Sequence, residues 1–300
     1  PVSPSERICD AIDCAYDSTA TSINIGNEVS YRGISMTLKK IQPYICYDND
    51  FIRNINIDFN DTIPCYAFYN CNSVTKAKVY TPLVIDKYAF QGCSRIEAVE
   101  IDATEINEQA FYLCSSITET TINASQIKKY AFQNCSSKNP ATYEINANII
   151  EEGAFRNCSA IEFAKITSDS IGNTAFMNSA TKTNATFSCI SKYIGDETFV
   201  GCSMLEQISL CDELVHIGDS SFYNCEKLLQ IKIPNSVTTL GSYSFAGCTS
   251  LTDVNIGNGI LHIKDYTFAD CKILPTITIP NNVISIGNYA FSGCKSLADV

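Results

Sequence analysis

The 300-residue sequence contains no tryptophan, three methionines and only two histidines, His216 and His262. Both histidines stand six residues before the phenylalanine of a recurring stretch, so we expect surface variation, with a catalytic or metal pair as the alternative. No G-x-S-x-G, phosphate-binding or dinucleotide-binding motif occurs, and no cysteines show the C-x-x-C spacing of zinc ligands. The sequence therefore predicts no catalytic, cofactor-binding or metal-binding residues, and a protein that is not an enzyme.

Positive charge and long apolar runs are also scarce. Lysine and arginine number 21 against 32 acidic residues, which gives a net charge of -11. This balance argues against a nucleic-acid partner, which requires a basic face. The absence of a run of 18 apolar residues predicts no membrane insertion. The first residues lack the pattern of a signal peptide and the last ones stop within a repeat, so we expect a fragment of a longer protein.

A repeat of 21–23 residues dominates the rest of the chain. Each copy has Ile or Leu five residues before a phenylalanine and Ala, Ser or Thr directly before it. We predict a cap or irregular segment over residues 1–40 and a solenoid of about 11–12 repeats over residues 41–300, truncated at its C-terminus. The phenylalanines predicted to stack as an internal ladder are Phe68, Phe90, Phe111, Phe132, Phe155, Phe176, Phe199, Phe222, Phe245, Phe268 and Phe291.

Each repeat combines a strand pattern with a turn pattern. The alternation in "LTDVNI" (residues 251–256) predicts a half-buried strand, and such strands stack about 4.7–4.9 Å apart in a parallel sheet. The "YAFxxC" segment predicts a short helical or 3₁₀ turn. The Asn, Gly or Asp that usually follows Phe by two residues suits a left-handed backbone. In the 21-residue copies we expect the turn after the strand to lack two residues.

Ten of the 16 cysteines stand three residues after the repeat phenylalanine, and Ser179 takes this place in one copy. This regular spacing favours small buried side chains with free thiols over a disulfide framework. Cys9 and Cys14 are candidates for a disulfide in the N-terminal segment.

The pattern "LxxVxI…VxxIGxYAFxxCxxL" resembles the BspA-like leucine-rich repeat family. The resemblance implies a right-handed α/β leucine-rich-repeat solenoid, with a parallel sheet on its concave side and short helical turns on its convex side. It also implies a cell-surface or secreted protein that adheres to host matrix or cell-surface macromolecules, either protein or glycan, without chemistry. The alternative that the free thiols favour is an intracellular protein–protein interaction scaffold of the same fold.

A ligand of such a solenoid would bind the outward strand positions of the concave sheet. The glutamates there form either an acidic stripe or an ordinary solvated face, and Phe163 is the aromatic residue that would anchor a partner. The candidate binding residues are Glu100, Glu119, Thr121, Thr142, Glu144, Phe163, Lys165, Gln207, Gln230, Lys232, Asp253 and Asn255.

Overall fold

The computed structural model describes residues 8–9, 22–26, 28–31, 34–38, 40–81 and 83–298. Four strands precede the repeats, namely β1 (Ile8–Cys9), β2 (Ser22–Gly26), β3 (Glu28–Tyr31) and β4 (Ile34–Leu38). β4 pairs in parallel with β1 and antiparallel with β3, whereas β2 pairs in parallel with the first repeat strand. The disulfide considered for Cys9 and Cys14 lies outside the described side chains.

The repeats form a parallel β-solenoid, in which each coil adds one or two strands beside those of the coil before. Residues of equal repeat position pair directly, as Ile101 does with Ile122 and Ile122 with Ile145. The apolar side of each strand therefore forms continuous rows inside the stack. The repeat strands are β5 (Asn54–Asp58), β6 (Lys76–Tyr80), β7 (Val84–Ile85), β8 (Ala98–Ile106), β9 (Glu119–Ile127), β10 (Ala141–Ile150), β11 (Ile161–Ile171), β12 (Ala185–Ile194), β13 (Leu205–Leu210), β14 (His216–Ile217), β15 (Gln230–Lys232), β16 (Thr239–Leu240), β17 (Asp253–Asn255), β18 (His262–Ile263) and β19 (Ser285–Ile286).

Two kinds of coil occur along the solenoid, and those with a long unbroken strand form one consecutive block. Strands β8 to β12 run unbroken for 9 to 11 residues, whereas later coils split into two short strands around a turn such as the one after Pro234. The turn is missing from the 21-residue copies, where a turn shorter by two residues was expected, and also from the 23-residue copies that contain β10 and β12. In these two copies the extra residues precede the strand, where the register shifts beside Ala141 and Ala185.

The helical or 3₁₀ turns expected around each phenylalanine are absent, since no helix occurs in the described ranges. Successive amides in this segment bond in alternate directions. Gln91 N–H donates to Tyr88 O three residues back, whereas Phe90 N–H donates to Ala110 O in the next coil at 2.7 Å. Because every second amide bonds to the next coil, consecutive 3₁₀ bonds cannot form. A left-handed residue stands on each side of the phenylalanine, with φ 63° at Tyr88 and 76° at Gly92.

The repeat phenylalanines stack through the centre of the solenoid. Ring centroids of neighbouring coils lie 4.8–5.8 Å apart and their planes differ by at most 16°. All these rings are fully buried from Phe68 to Phe268, and Phe291 is partly buried. The 14 cysteines whose side chains the structure describes are free. The core is therefore a column of aromatic layers with thiols beside it.

Candidate functional site

The outward positions of the sheet form two rows of side chains across successive coils. One row passes through Glu119, Thr142 and Phe163, each directly paired with the next. The parallel row contains Glu100, Thr121, Glu144 and Lys165. These side chains are exposed or half-buried, because inward and outward residues alternate along each strand. The structure thus brings seven of the candidate residues onto one face of β8 to β11. Ala98 of β8 lies on the same face, paired with Glu119.

The other candidate residues continue this face along the solenoid. Gln207 pairs with Thr186 of β12, and in later coils Gln230 pairs with Asp253 and Lys232 with Asn255. All four of these β15 and β17 side chains are exposed. The face therefore extends over many coils, and its residue types change from one coil to the next.

Two glutamates on this face form ion pairs with lysines of adjacent strands. Glu100 accepts hydrogen bonds from the Lys78 ammonium, Nζ–Oε2 2.6 Å, and from the Tyr80 hydroxyl. The bond from Lys78 and then that from Tyr80 hold the pKa of Glu100 below its ordinary value. Glu144 pairs with Lys165 at 2.7 Å. Two of the three glutamates are thus neutralised, and the face is a mixed polar surface rather than an acidic stripe.

Phe163 is the large apolar side chain at the middle of this surface, and 52% of it is exposed. It lies between Thr142 and Thr186 of the adjacent strands. The two neighbouring rows of the same face contain a shallow depression of about 340 Å³ lined by Thr121, Asn123, Glu144, Ile145, Asn146, Lys165 and Thr167. Hydroxyl, amide and charged groups around an exposed ring suit a broad hydrated interface with a protein or a glycan.

The long strands enlarge the face beyond the residues selected from the sequence. Asp102, Asn123, Asn146 and Thr167 are paired in register and form a third outward row across β8 to β11. The continuing alternation in "ETTINASQI" and the absence of Pro-Asn were the signals for this extension. They were missed because a turn was expected in every copy.

The two histidines contact different partners in the structure. The His216 ring stacks on the Tyr193 ring with centroids 4.0 Å apart, and burial lowers the pKa of His216. His262 instead bonds through Nδ1 to Ser285 Oγ at 2.8 Å. In the described part of the chain, no three His, Cys, Asp or Glu side chains cluster as metal ligands would. Nor do these residues include a helix long and apolar enough to cross a bilayer.

Comparison with known families agrees with the repeat geometry. The model of the BspA type leucine rich repeat region matches residues 39–162 and 169–298, in six copies. The chain belongs to the BspA-type leucine-rich repeat family. Families of this repeat are generally non-enzymatic protein-binding scaffolds. No curated protein matches the chain.

Solved structures of other leucine-rich repeat proteins are similar to the chain at low sequence identity. A leucine-rich repeat protein from Bacteroides ovatus is 18% identical, with a TM-score of 0.51 over 92% of this chain and 85% of that one. A leucine rich cell surface protein from Faecalibacterium prausnitzii is 21% identical, with a TM-score of 0.49 over 98% of this chain and 83% of that one. At these identities the likeness concerns the fold alone.

Proposed function

We propose that this chain is a non-catalytic adhesion or recognition protein that binds a protein or glycan ligand through the outward face of its sheet. The observation that carries the proposal is the exposed Phe163 ring within a polar face on which Glu144 is paired with Lys165. Buried aromatic anchors with a polar surround dominate the energy of many interfaces. The depression on this face is too open and polar for a small-molecule pocket, so a macromolecular ligand fits better.

We place the protein at the cell surface or outside the cell, because that location is typical of the family that its repeats resemble. The alternative is an intracellular scaffold of the same fold, which the 14 free cysteines favour, since exported proteins usually oxidise their thiols. Antibody staining of intact and permeabilised cells separates the two. Staining of intact cells supports the surface location, whereas staining only after permeabilisation supports the scaffold.

Binding is tested with the labelled chain on intact host cells, immobilised matrix proteins and a glycan array. Phe163→Ser is expected to weaken binding by at least about tenfold, as loss of an interface anchor does. The matched control is Tyr243→Ser, which removes a 39% exposed ring from a turn away from the sheet face. Equal binding by the Phe163 variant and the unchanged chain would contradict the proposed site.

A further inference from the structure

Two columns of tyrosines stand side by side on the turns of the first coils, away from the outward sheet face. The first column contains Tyr44, Tyr66 and Tyr88, which stand two residues before the phenylalanine position of their coils. Their ring centroids are 5.3 and 5.0 Å apart. The second column contains Tyr47 and Tyr69, with centroids 5.0 Å apart. We call these five residues the tyrosine trough.

The walls of the tyrosine trough are inclined to one another. The ring planes differ by 56° between Tyr44 and Tyr47 and by 60° between Tyr66 and Tyr69. Tyr44 is 56% exposed and Tyr47 is 45% exposed. Contiguous exposed aromatic surface of this kind is uncommon unless it contacts a partner. None of the five hydroxyls bonds to another residue of the described chain.

The stacking limits what the tyrosine trough can bind. Each ring lies against the next in its column, so much of each ring face is covered and edges and hydroxyls remain. A flat sugar or a lone cation stacked on a ring face therefore gains little here. A polyproline II segment suits the trough better, because it packs between aromatic walls and its backbone carbonyls lack internal hydrogen bonds.

The dimensions agree with this ligand. A polyproline II helix repeats every three residues with a rise of about 3.1 Å each, or about 9.3 Å per turn. The centroid steps of 5.3 and 5.0 Å from Tyr44 through Tyr66 to Tyr88 cover a nearly equal length. One turn of such a helix would thus span two coil steps of the trough.

Charge adds a preference for a basic ligand. Asp48 directly follows Tyr47, and both Asp48 and Asp50 are exposed. Neither carboxylate forms an ion pair with a residue in the described ranges, in contrast to the paired glutamates of the sheet face. A Lys or Arg of a ligand in the trough would find an unpaired carboxylate beside it.

We propose that the tyrosine trough binds a proline-rich segment in the polyproline II conformation that carries a basic residue. The partner is thus a protein, and its binding surface is separate from the sheet face of the proposed function. Extended rigid ligands lose little conformational entropy on binding, and tyrosine side chains have few rotamers to lose.

The chain offers a matched control for the test. Tyr243, Tyr266 and Tyr289 also stack, with centroids 4.5 and 5.0 Å apart, but these coils have no second tyrosine column. Tyr66 and Tyr266 occupy the same repeat position with φ 58° and 57°. Ser220 occupies this position in another coil with φ 54°, so a Tyr→Ser change fits the backbone at both sites.

The probe is a short fluorescent synthetic peptide with two Pro-x-x-Pro units and a terminal arginine, titrated by anisotropy. Tyr66→Ser is expected to weaken binding by at least about tenfold, and Tyr266→Ser to leave it unchanged. Asp48→Asn is expected to weaken binding of this peptide and not of its arginine-free counterpart. The proposal is overturned if the peptide does not bind the unchanged chain, or if the two tyrosine variants lose affinity equally. The proposal is also overturned if poly-lysine binds as tightly as the peptide and Asp48→Asn is the only change that abolishes this binding. Charge alone would then explain the binding.

Discussion

The thiol of Cys114 donates a hydrogen bond to the carbonyl oxygen of Phe90, one coil earlier, with an Sγ–O distance of 3.2 Å. The same carbonyl accepts the amide of Cys93 in its own coil at 3.3 Å. Equivalent thiol bonds of 3.0–3.4 Å recur along the solenoid. Ser179 forms this bond with its hydroxyl, 2.6 Å from Phe155 O. The position therefore requires a small buried side chain with one donor, which explains both residue types.

Replacement of Cys114 by serine is expected to change the free energy of unfolding by no more than about 1 kcal/mol, because serine retains the donor. Cys114→Val removes the donor and adds a branched side chain to a packed core, so we expect a loss of roughly 1–3 kcal/mol. The reciprocal change Ser179→Cys is expected to be nearly neutral. Urea denaturation monitored by circular dichroism measures all three. Equal destabilisation by serine and valine would show that the thiol bond does not define the position.

The stacked phenylalanines should dominate the stability of the core. The Phe132 ring is fully buried, 4.8 Å from the Phe111 ring and 5.1 Å from that of Phe155. Phe132→Ala is expected to lower the free energy of unfolding by about 3–5 kcal/mol, and Phe132→Leu by less. Hydrogen exchange should show faster opening in the two flanking coils first, since each coil contacts only its neighbours. Uniform acceleration over all coils would contradict that expectation.

Much of the architecture follows directly from the repeat in the sequence. The alternation around Val254 predicted a strand, and the structure has Asp253–Asn255 as β17 with Val254 buried. Asn, Gly or Asp two residues after Phe predicted a left-handed backbone, which is confirmed even for Leu113. The expected helical turn was wrong because its amides bond to the next coil. Whether these amides bond within the turn or to the next coil depends on the coil stacked beside it, and the sequence of a single copy does not specify that contact.

The candidate site was predictable in part. Strand alternation assigns Glu144 and Lys165 to the outward side, and their pairing follows once the two strands are in register. The register itself depends on where inserted residues lie, and it places Ser188 of β12 in the row beside Lys165. The tyrosine trough was not recognised, although Tyr recurs two residues before Phe. Burial restricts the residue type at core positions and so produces a regular pattern in the sequence, whereas an exposed position is not restricted in this way.

The close approach of coils at Gly241 gives a further prediction. A Cβ atom built on Gly241 would lie 2.2 Å from Gly218 O and 2.4 Å from Asp219 N, both backbone atoms that cannot rotate away. Gly241→Ala is therefore expected to lower the free energy of unfolding by roughly 1–3 kcal/mol. Thr238→Ala, at an exposed position in the same coil, should change it by no more than about 0.5 kcal/mol. A neutral Gly241→Ala would mean that the coils can separate without loss.

Alkaline pH should weaken the solenoid through its buried thiols. Burial raises the pKa of Cys189 and Cys248 to about 12 and that of Cys202 to about 11, from 9.0. Above pH 9.0 such a thiol is ionised in the unfolded chain but protonated in the folded one, so the unfolded state binds fewer protons. Stability is then fully present below that pH and falls as pH rises towards the folded pKa. The expected slope is about 1.4 kcal/mol per pH unit for each thiol.

Urea midpoints between about pH 8 and pH 11 measure this slope. Tyrosine and lysine titrate in the same range, so the informative comparison is between the unchanged chain and Cys202→Ser. Serine does not ionise there and keeps the donor to Phe176 O, which Cys202 Sγ contacts at 3.2 Å. The variant should be similarly stable at about pH 8 and should lose less stability at higher pH, by the contribution of one thiol. Identical slopes for the two proteins would mean that the buried thiols do not govern the alkaline transition.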